Sequence, residues 1–270
     1  MTLPLALTGA PNFRDLGGYR SADGRSVRHH RLFRSDHLAH LAPADLQALA
    51  NALGPAVRVL DLRGEAERAT AACAIPGATV HSLPIEPTVV QKLTDLLAAG
   101  QPPSSEETVA LMQDTYRGFV RGNTPRFARL FAHALEAHDA PIVFHCTAGK
   151  DRTGFAAALL LRALGVPQDV VMHDYLLTNE RLRGQARLQW VPPQVAFVLQ
   201  QVQADFLHAA LDAVDEDYGD LEAYFRDGLG LGPAERAALA AMGEVECPSG
   251  LVRMSALADL EGWLERDGQI

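Results

Sequence analysis

Apolar positions along the chain change rhythm between helical and strand-like spacing. Leu46, Leu49, Ala50 and Leu53 recur on one face behind Pro43, and Gly54 follows them. A short helix is predicted there, with proline in its first turn and glycine at its end. Val57 to Leu62 reads as a strand and the acidic-rich Glu65 to Ala72 as the helix after it. A second short strand is predicted over Ala78 to Leu83, bounded by Pro76-Gly77 and Pro84. A helix ends near Gly100, and Gln101-Pro102-Pro103 breaks the pattern. Ser104 and Glu107, at capping-box spacing, then open a helix with Val109, Met112, Tyr116, Phe119 and Val120 along one side. That stripe reads as core, with a lid over a site as the alternative. Thr124-Pro125 is predicted to start a separate helix running to about Ala137.

Asp139-Ala140-Pro141 reads as a turn, and Ile142-Val143-Phe144 is a short apolar run suited to a buried central strand. Phe155 to Leu164 reads as a buried helix closed by Gly165 and Pro167. The last third is mostly helical, with a long amphipathic stretch around Val195, Val202 and Phe206. Gly228-Leu229-Gly230-Leu231-Gly232 follows a helical stretch and precedes the helix-starting Pro233, so it is not read as a dinucleotide loop. The predicted class is α/β, a mainly parallel central sheet flanked by helices. Residues 1–270 are expected to form one domain, with a helical insertion or lid over about 86–124 and a helical C-terminal part.

Composition narrows the function classes. The 270 residues are 48% hydrophobic and 21% charged, enough to bury a core without disulfides or metals. With 24 basic and 33 acidic residues the net charge is −9, which argues against a general nucleic-acid or anionic-membrane binder. Any anionic substrate must therefore be met by a local basic site. Cys73, Cys146 and Cys247 are too few and too scattered for a disulfide framework or a thiolate zinc cluster. The longest apolar run, Phe155 to Leu161, falls far short of the ~20 residues of a membrane-spanning helix. Met1 to Ala10 has no basic residue ahead of its apolar stretch, unlike a cleaved signal. The cytoplasm is the expected compartment, with signal-less secretion left open and no stable membrane insertion expected.

The chemistry concentrates in His145-Cys146-Thr147-Ala148-Gly149-Lys150-Asp151-Arg152-Thr153-Gly154, between a predicted strand and a predicted helix. Backbone N–H groups there face inward and, with the helix dipole, suit a tetrahedral anion. The N–H groups of Thr147 through Arg152 are the expected phosphate ligands. Arg152, six positions after Cys146, can return its guanidinium over the same centre as a bidentate clamp. The same field favours a thiolate at Cys146. Thr153 is expected to donate its hydroxyl to the sulfur, and Gly149 to allow the close turn. A buried structural cysteine beside a helix cap is the bland alternative.

This loop resembles the Cys-x5-Arg-Ser/Thr phosphate loop of cysteine-based protein tyrosine phosphatases. More narrowly, Asn12-Phe13-Arg14-Asp15-Leu16-Gly17-Gly18-Tyr19, Leu32-Phe33-Arg34-Ser35, Asp61-Leu62-Arg63 and Asp174-Tyr175-Leu176-Leu177 resemble a bacterial branch. Its members are atypical tyrosine or dual-specificity phosphatases, some active on phosphoinositides. The resemblance covers most of residues 12 to 180 and extends over Tyr218 to Leu239, whereas 243–270 matches nothing. It implies a cysteine-phosphatase-like fold, a phosphocysteine intermediate, no metal and no cofactor. Phosphotyrosine proteins or peptides are the implied substrates, with phosphoinositides as a further option.

Two aspartates compete as proton donor to the leaving oxygen. Asp61 ends a predicted parallel strand and matches the aspartate of this branch; a surface ion pair with Arg63 or Arg58 is its alternative. Asp151 lies within the loop and acts on water, or only contacts loop N–H groups. The resemblance gives His145 a role in orienting the loop. Arg14, Arg34 and Arg63 either rim the pocket or are surface charges, and Asp174 braces the loop or caps its helix. Asn12 to Tyr19 reads as a turn leading into a strand. Lys150 either points inward to hold a second phosphate, like the basic loops of lipid-directed cysteine phosphatases, or snorkels to water. His37 and His40 share a face if helical, without a metal signature. The competing functions are a phosphate-binding pseudophosphatase, a mainly phosphoinositide-directed enzyme and a rhodanese-type sulfur transferase.

Overall fold

Residues 5–137, 140–186, 188–241 and 243–245 are described, from a computed structural model. Asp139 of the predicted turn, Cys247, Met1 to Pro4 and residues 246–270 lie outside them. The chain begins with three short strands, β1 (Arg14–Asp15), β2 (Arg25–Val27) and β3 (Leu32–Ser35). Helix α1 (Pro43–Leu53) leads to β4 (Arg58–Asp61), α2 (Glu65–Thr70), β5 (Thr79–Ser82) and α3 (Thr88–Ala98). The long α4 (Ser105–Glu136) precedes β6 (Ile142–His145) and α5 (Asp151–Ala163). After them come α6 (Gln168–Arg181), α7 (Pro193–Leu199), α8 (Ala204–Tyr218), α9 (Leu221–Ala223), α10 (Pro233–Ala240) and β7 (Gly243–Val245).

The main sheet has the order β1-β3-β6-β4-β5, antiparallel only between β1 and β3. The strands alternate faces, as a period of two requires. Phe33, Val59 and Val143 pack with Leu49, Leu53 and Phe13 on one side; Leu32, Leu60, Ile142 and Phe144 pack with α4 and α5 on the other. Helices therefore cover both faces, which is why β6 reads as an unbroken apolar run. A second pair joins β2 to β7 antiparallel, far apart in sequence.

Three expectations change. Asn12 to Tyr19 holds a strand as well as its turn: β1 pairs Arg14 with Arg34, Gly18 takes φ +88°, and beyond the turn Arg20 bridges to Ser26. Pro125 does not start a helix but lies inside α4. A proline there removes one N–H from the ladder. Asn123 Nδ2 donates to Gly118 O at 3.0 Å and Thr124 Oγ1 to Val120 O at 2.6 Å, so neighbouring carbonyls keep donors. Phe119, Val120, Phe127 and Phe131, on both sides of the proline, share one buried face. The stretch around Val202 is two helices. Asn179 holds Val202 by both backbone groups, each at 2.8 Å, and ends the run between α7 and α8.

The stripe of Met112, Tyr116, Phe119 and Val120 lies in the main core. His37 and His40 are not on a helix; their rings meet edge-on at 4.7 Å. No helix among the described residues is long and apolar enough to cross a membrane. Phe155, wholly buried, sits between Phe127 at 5.0 Å and Phe119 at 5.9 Å. Truncating such a ring costs about 3–5 kcal/mol. Phe155→Ala is expected to lower the urea midpoint accordingly without changing the far-ultraviolet circular dichroism of the folded baseline.

Candidate active site

The sheet register assembles the site. Ser35 and Asp61 both pair with His145, so β3, β6 and β4 end side by side and their following loops leave one edge. In parallel sheets that carboxyl edge is where ligand sites form. Cys146 follows β6, 2% exposed, and α5 starts at Asp151 with no capping side chain at Lys150. The first-turn N–H groups of α5 are thus left for a ligand. Gly149 has φ +65°, and a Cβ there would lie 2.4 Å from Ser35 O, so only glycine permits this approach of loop to β3.

Arg152 is held by a carboxylate from outside the loop. Its Nη1 donates to Glu67 Oε2 at 2.6 Å and to Ile85 O at 2.9 Å, and its Nη2 to Glu67 Oε1 at 2.9 Å. This occupies the Nη1–Nη2 end of the guanidinium and leaves its Nε–Nη2 edge. Thr147 Oγ1 donates to the same Glu67 oxygen as Nη2. Burial raises the Glu67 carboxyl, but the hydrogen bonds and charge of Arg152 outweigh it and set it at about 2.

Asp61 and Arg63 form a buried pair instead of a surface one. Arg63 Nη2 donates to Oδ2 at 2.7 Å, and Arg63 Nε and backbone N both donate to Oδ1 at 3.0 Å. Burial favours the neutral acid, yet these bonds prevail and hold Asp61 below the usual carboxylate range. His145 Nδ1 lies 3.1 Å from Cys146 O, a carbonyl that only accepts, so Nδ1 carries the proton. Burial lowers this imidazole to about 4, leaving it neutral. Its Nε2 stands 3.8 Å from Asp61 Oδ2.

Asp151 is a quarter exposed. Tyr116 donates to its Oδ1 at 2.9 Å, so Tyr175, 2.6 Å from the Tyr116 oxygen, donates in turn to that oxygen. Lys150 is buried, with its Nζ turned to the end of α7 and 3.7 Å from Asp151 Oδ2. It is 6% exposed, and its Nζ donates to Leu199 O and Gln201 O at the end of α7. Thr153 Oγ1 is buried without a hydrogen-bond partner among the described residues, so the expected bond to sulfur is not formed here. Arg14 and Arg34 are not at a rim. Both are buried and donate to Asp174, Arg14 Nε at 2.8 Å and Arg34 Nη1 at 2.7 Å.

A family model described as tyrosine phosphatase family matches residues 5–242. The chain belongs to the tyrosine phosphatase family. A provisionally named tyrosine-protein phosphatase of Cupriavidus necator is 36% identical over 236 residues, 83% of this chain and 84% of that one. The triple specificity protein phosphatase PtpB of Mycobacterium tuberculosis is 33% identical over 260 residues, 82% of this chain and 92% of that one. A solved structure of P. aeruginosa TpbA aligns over 72% of this chain and 96% of that one, at 15% identity and a TM-score of 0.33. This phosphatase is accordingly a phosphoric monoester hydrolase that acts on phosphotyrosine substrates.

Glu67, Tyr116 and Tyr175 were not read as site residues in the sequence. Glu67 is 80 positions from Thr147, and its only local signature is its N3 place in α2. Tyr116 is part of an apolar stripe whose single polar end faces Asp151. Because the folded Glu67 carboxyl lies below its unfolded value of 4.5, its ionisation favours the folded protein. That contribution is complete above pH 4.5 and lost as pH falls towards about 2. Thermal melts across this range should therefore fall more steeply for the parent than for Glu67→Gln. Parallel curves would exclude the pair as a source of stability.

Proposed function

We propose that this phosphatase works through a phosphocysteine formed on Cys146. The observation that carries the reading is the arginine geometry: Glu67 fixes one end of Arg152 and leaves the other edge beside the uncapped start of α5. The sulfur attacks phosphorus, and the bond from phosphorus to the leaving oxygen breaks. Backbone N–H groups of Thr147 through Arg152 and the Nε–Nη2 edge of Arg152 hold the equatorial oxygens as charge develops. Water then attacks phosphorus, the sulfur–phosphorus bond breaks and the thiolate is regenerated.

Asp151 is the group we assign to proton transfer, giving a proton to the leaving oxygen and taking one from the attacking water. It is part-exposed, adjoins Arg152, and has one oxygen directed by Tyr116. Asp61 is the less suitable acid, since both its oxygens are engaged by Arg63 and it stays ionised. His145, neutral, orients the loop from Cys146 O. Asp174 supports it through Arg34.

Cys146→Ser should hydrolyse no p-nitrophenyl phosphate in the presence of chelator while melting like the parent. An inactive parent of normal fold would leave only a phosphate-binding protein. With a series of aryl phosphates, Asp151→Asn should lose about 10²–10⁴-fold for leaving groups of high pKa and little for p-nitrophenolate. The same dependence in Asp61→Asn alone would transfer the acid role to that residue.

Phosphotyrosyl peptides are the substrates this reading favours. Lys150, the cation that would select a second phosphate, is committed to the carbonyls at the end of α7. Lys150→Ala should therefore reduce turnover of a phosphotyrosyl peptide and of any short-chain phosphoinositide it accepts by the same factor. A selective loss on the lipid would restore Lys150 as a specificity residue.

A further inference from the structure

A loop that turns its N–H groups towards an anion must turn its carbonyls away, and each buried carbonyl then needs a donor from elsewhere. The outward carbonyls of four successive loop residues all have one. His145 Nδ1 serves Cys146 O at 3.1 Å, and the backbone N–H of His37 serves Thr147 O at 3.0 Å. Asn12 Nδ2 serves both Ala148 O at 3.0 Å and Gly149 O at 2.9 Å, and Arg34 Nη2 adds a second bond to Gly149 O at 2.8 Å. Among the described residues, no hydrogen bond uses the N–H groups of Thr147, Ala148, Gly149 or Lys150.

We infer that Asn12 is a positioning residue of the phosphate site, setting the loop in its anion-binding shape through the carbonyls of Ala148 and Gly149. The inference rests on the reading of residues 146–152 as the phosphate site. Asn12 is wholly buried, and every polar atom of its side chain is used. Its two amide hydrogens go to the loop, while Oδ1 accepts from Arg14 Nη1 at 2.6 Å. Carbonyls only accept and guanidinium only donates, so the amide has one orientation. Its backbone is fixed as well, because Asn12 N donates to Asp36 Oδ1 at 3.2 Å and Asn12 O accepts from Arg14 Nη1 at 3.1 Å. An aspartate in this place would set a carboxylate oxygen against two carbonyls. A leucine would fill the space and supply no donor. Released, Ala148 O loses its donor while Gly149 O keeps only Arg34, so the Ala148–Gly149 peptide is free to rotate and with it the Gly149 N–H on the opposite side of the loop.

The test compares Asn12→Leu with Phe13→Leu, a neighbour that stacks on Phe33 at 5.3 Å away from the loop carbonyls. Inorganic phosphate serves as competitive probe and p-nitrophenyl phosphate as substrate, with thermal melting recorded for both variants. Asn12→Leu should raise the phosphate inhibition constant at least tenfold and lower kcat as well, whereas Phe13→Leu should lower the melting temperature with phosphate inhibition unchanged. Asn12→Asp should be worse than Asn12→Leu on both readouts. Phosphate inhibition of Asn12→Leu equal to the parent's overturns the proposal, and so does an equal loss in Phe13→Leu at matched melting temperature. A parent that neither binds phosphate nor turns over substrate removes the underlying phosphate-site reading itself. Should Asn12→Leu fail to fold, Asn12→Ser carries the same comparison, and parent-like phosphate inhibition there is equally fatal.

Discussion

Asp174 is a buried carboxylate on α6 held between two buried arginines, and the loop of residues 146–152 is built against that group. Arg14 comes from β1, Arg34 from β3, and Tyr19 adds a hydroxyl donor at 3.1 Å to the same carboxylate. Burial and the neighbouring Arg34 lower Arg14 to about 10, still a cation at neutral pH. Burial raises Asp174 but the two guanidiniums outweigh it and set it at about 2. Two cations therefore face one anion, with the buried Asp36 carboxylate also within reach of Arg14. A buried ion group of this kind adds little net stability over an apolar replacement, yet losing one member strands the others. Its value here is placement, because it ties the N-terminal segment, the sheet and α6 to one point beneath Gly149.

The front of the loop is governed by a second ion pair with a different job. Glu67 on α2 takes one end of Arg152, and Asp61 takes Arg63 a few residues away. Arginine suits both places because its planar fork binds a carboxylate on one edge and keeps another for a second partner. With an overall charge of −9, the field of the whole chain repels a phosphate, and the proposed site depends on this local arrangement to offset it.

The helices behind the loop show how far packing overrides local preference. Asn123 and Thr124 keep α4 continuous through Pro125, and that continuity puts Tyr116 and the Phe127 face on the same rod. Tyr116 of this rod reaches Asp151, while Phe119 and Phe127 pack against Phe155 of the helix that Asp151 opens. Gly154 lets Tyr175 come this near, for a Cβ there would meet the Tyr175 ring at 2.9 Å.

Local chemistry determined what the sequence alone could determine: the strand over Ile142 to Phe144, the helix over Phe155 to Leu164, which the structure starts earlier at Asp151, and the glycine-bearing loop between them. Those features depend on neighbouring residues, through apolar runs, cap spacing and a glycine turn. The capping box of Ser104 and Glu107 was legible for the same reason. The tertiary structure decided where the long charged side chains go. By sequence Arg14, Arg34, Arg63 and Lys150 suit either a pocket or solvent, and in the structure all four meet buried oxygens. Each has several donors on a flexible stem, so its partner is whichever acceptor the sheet register and helix packing bring within reach. Asp174 lies 160 positions from Arg14, and Glu67 lies 85 from Arg152. No local pattern encodes pairings at that separation, and only the closed fold brings their atoms together.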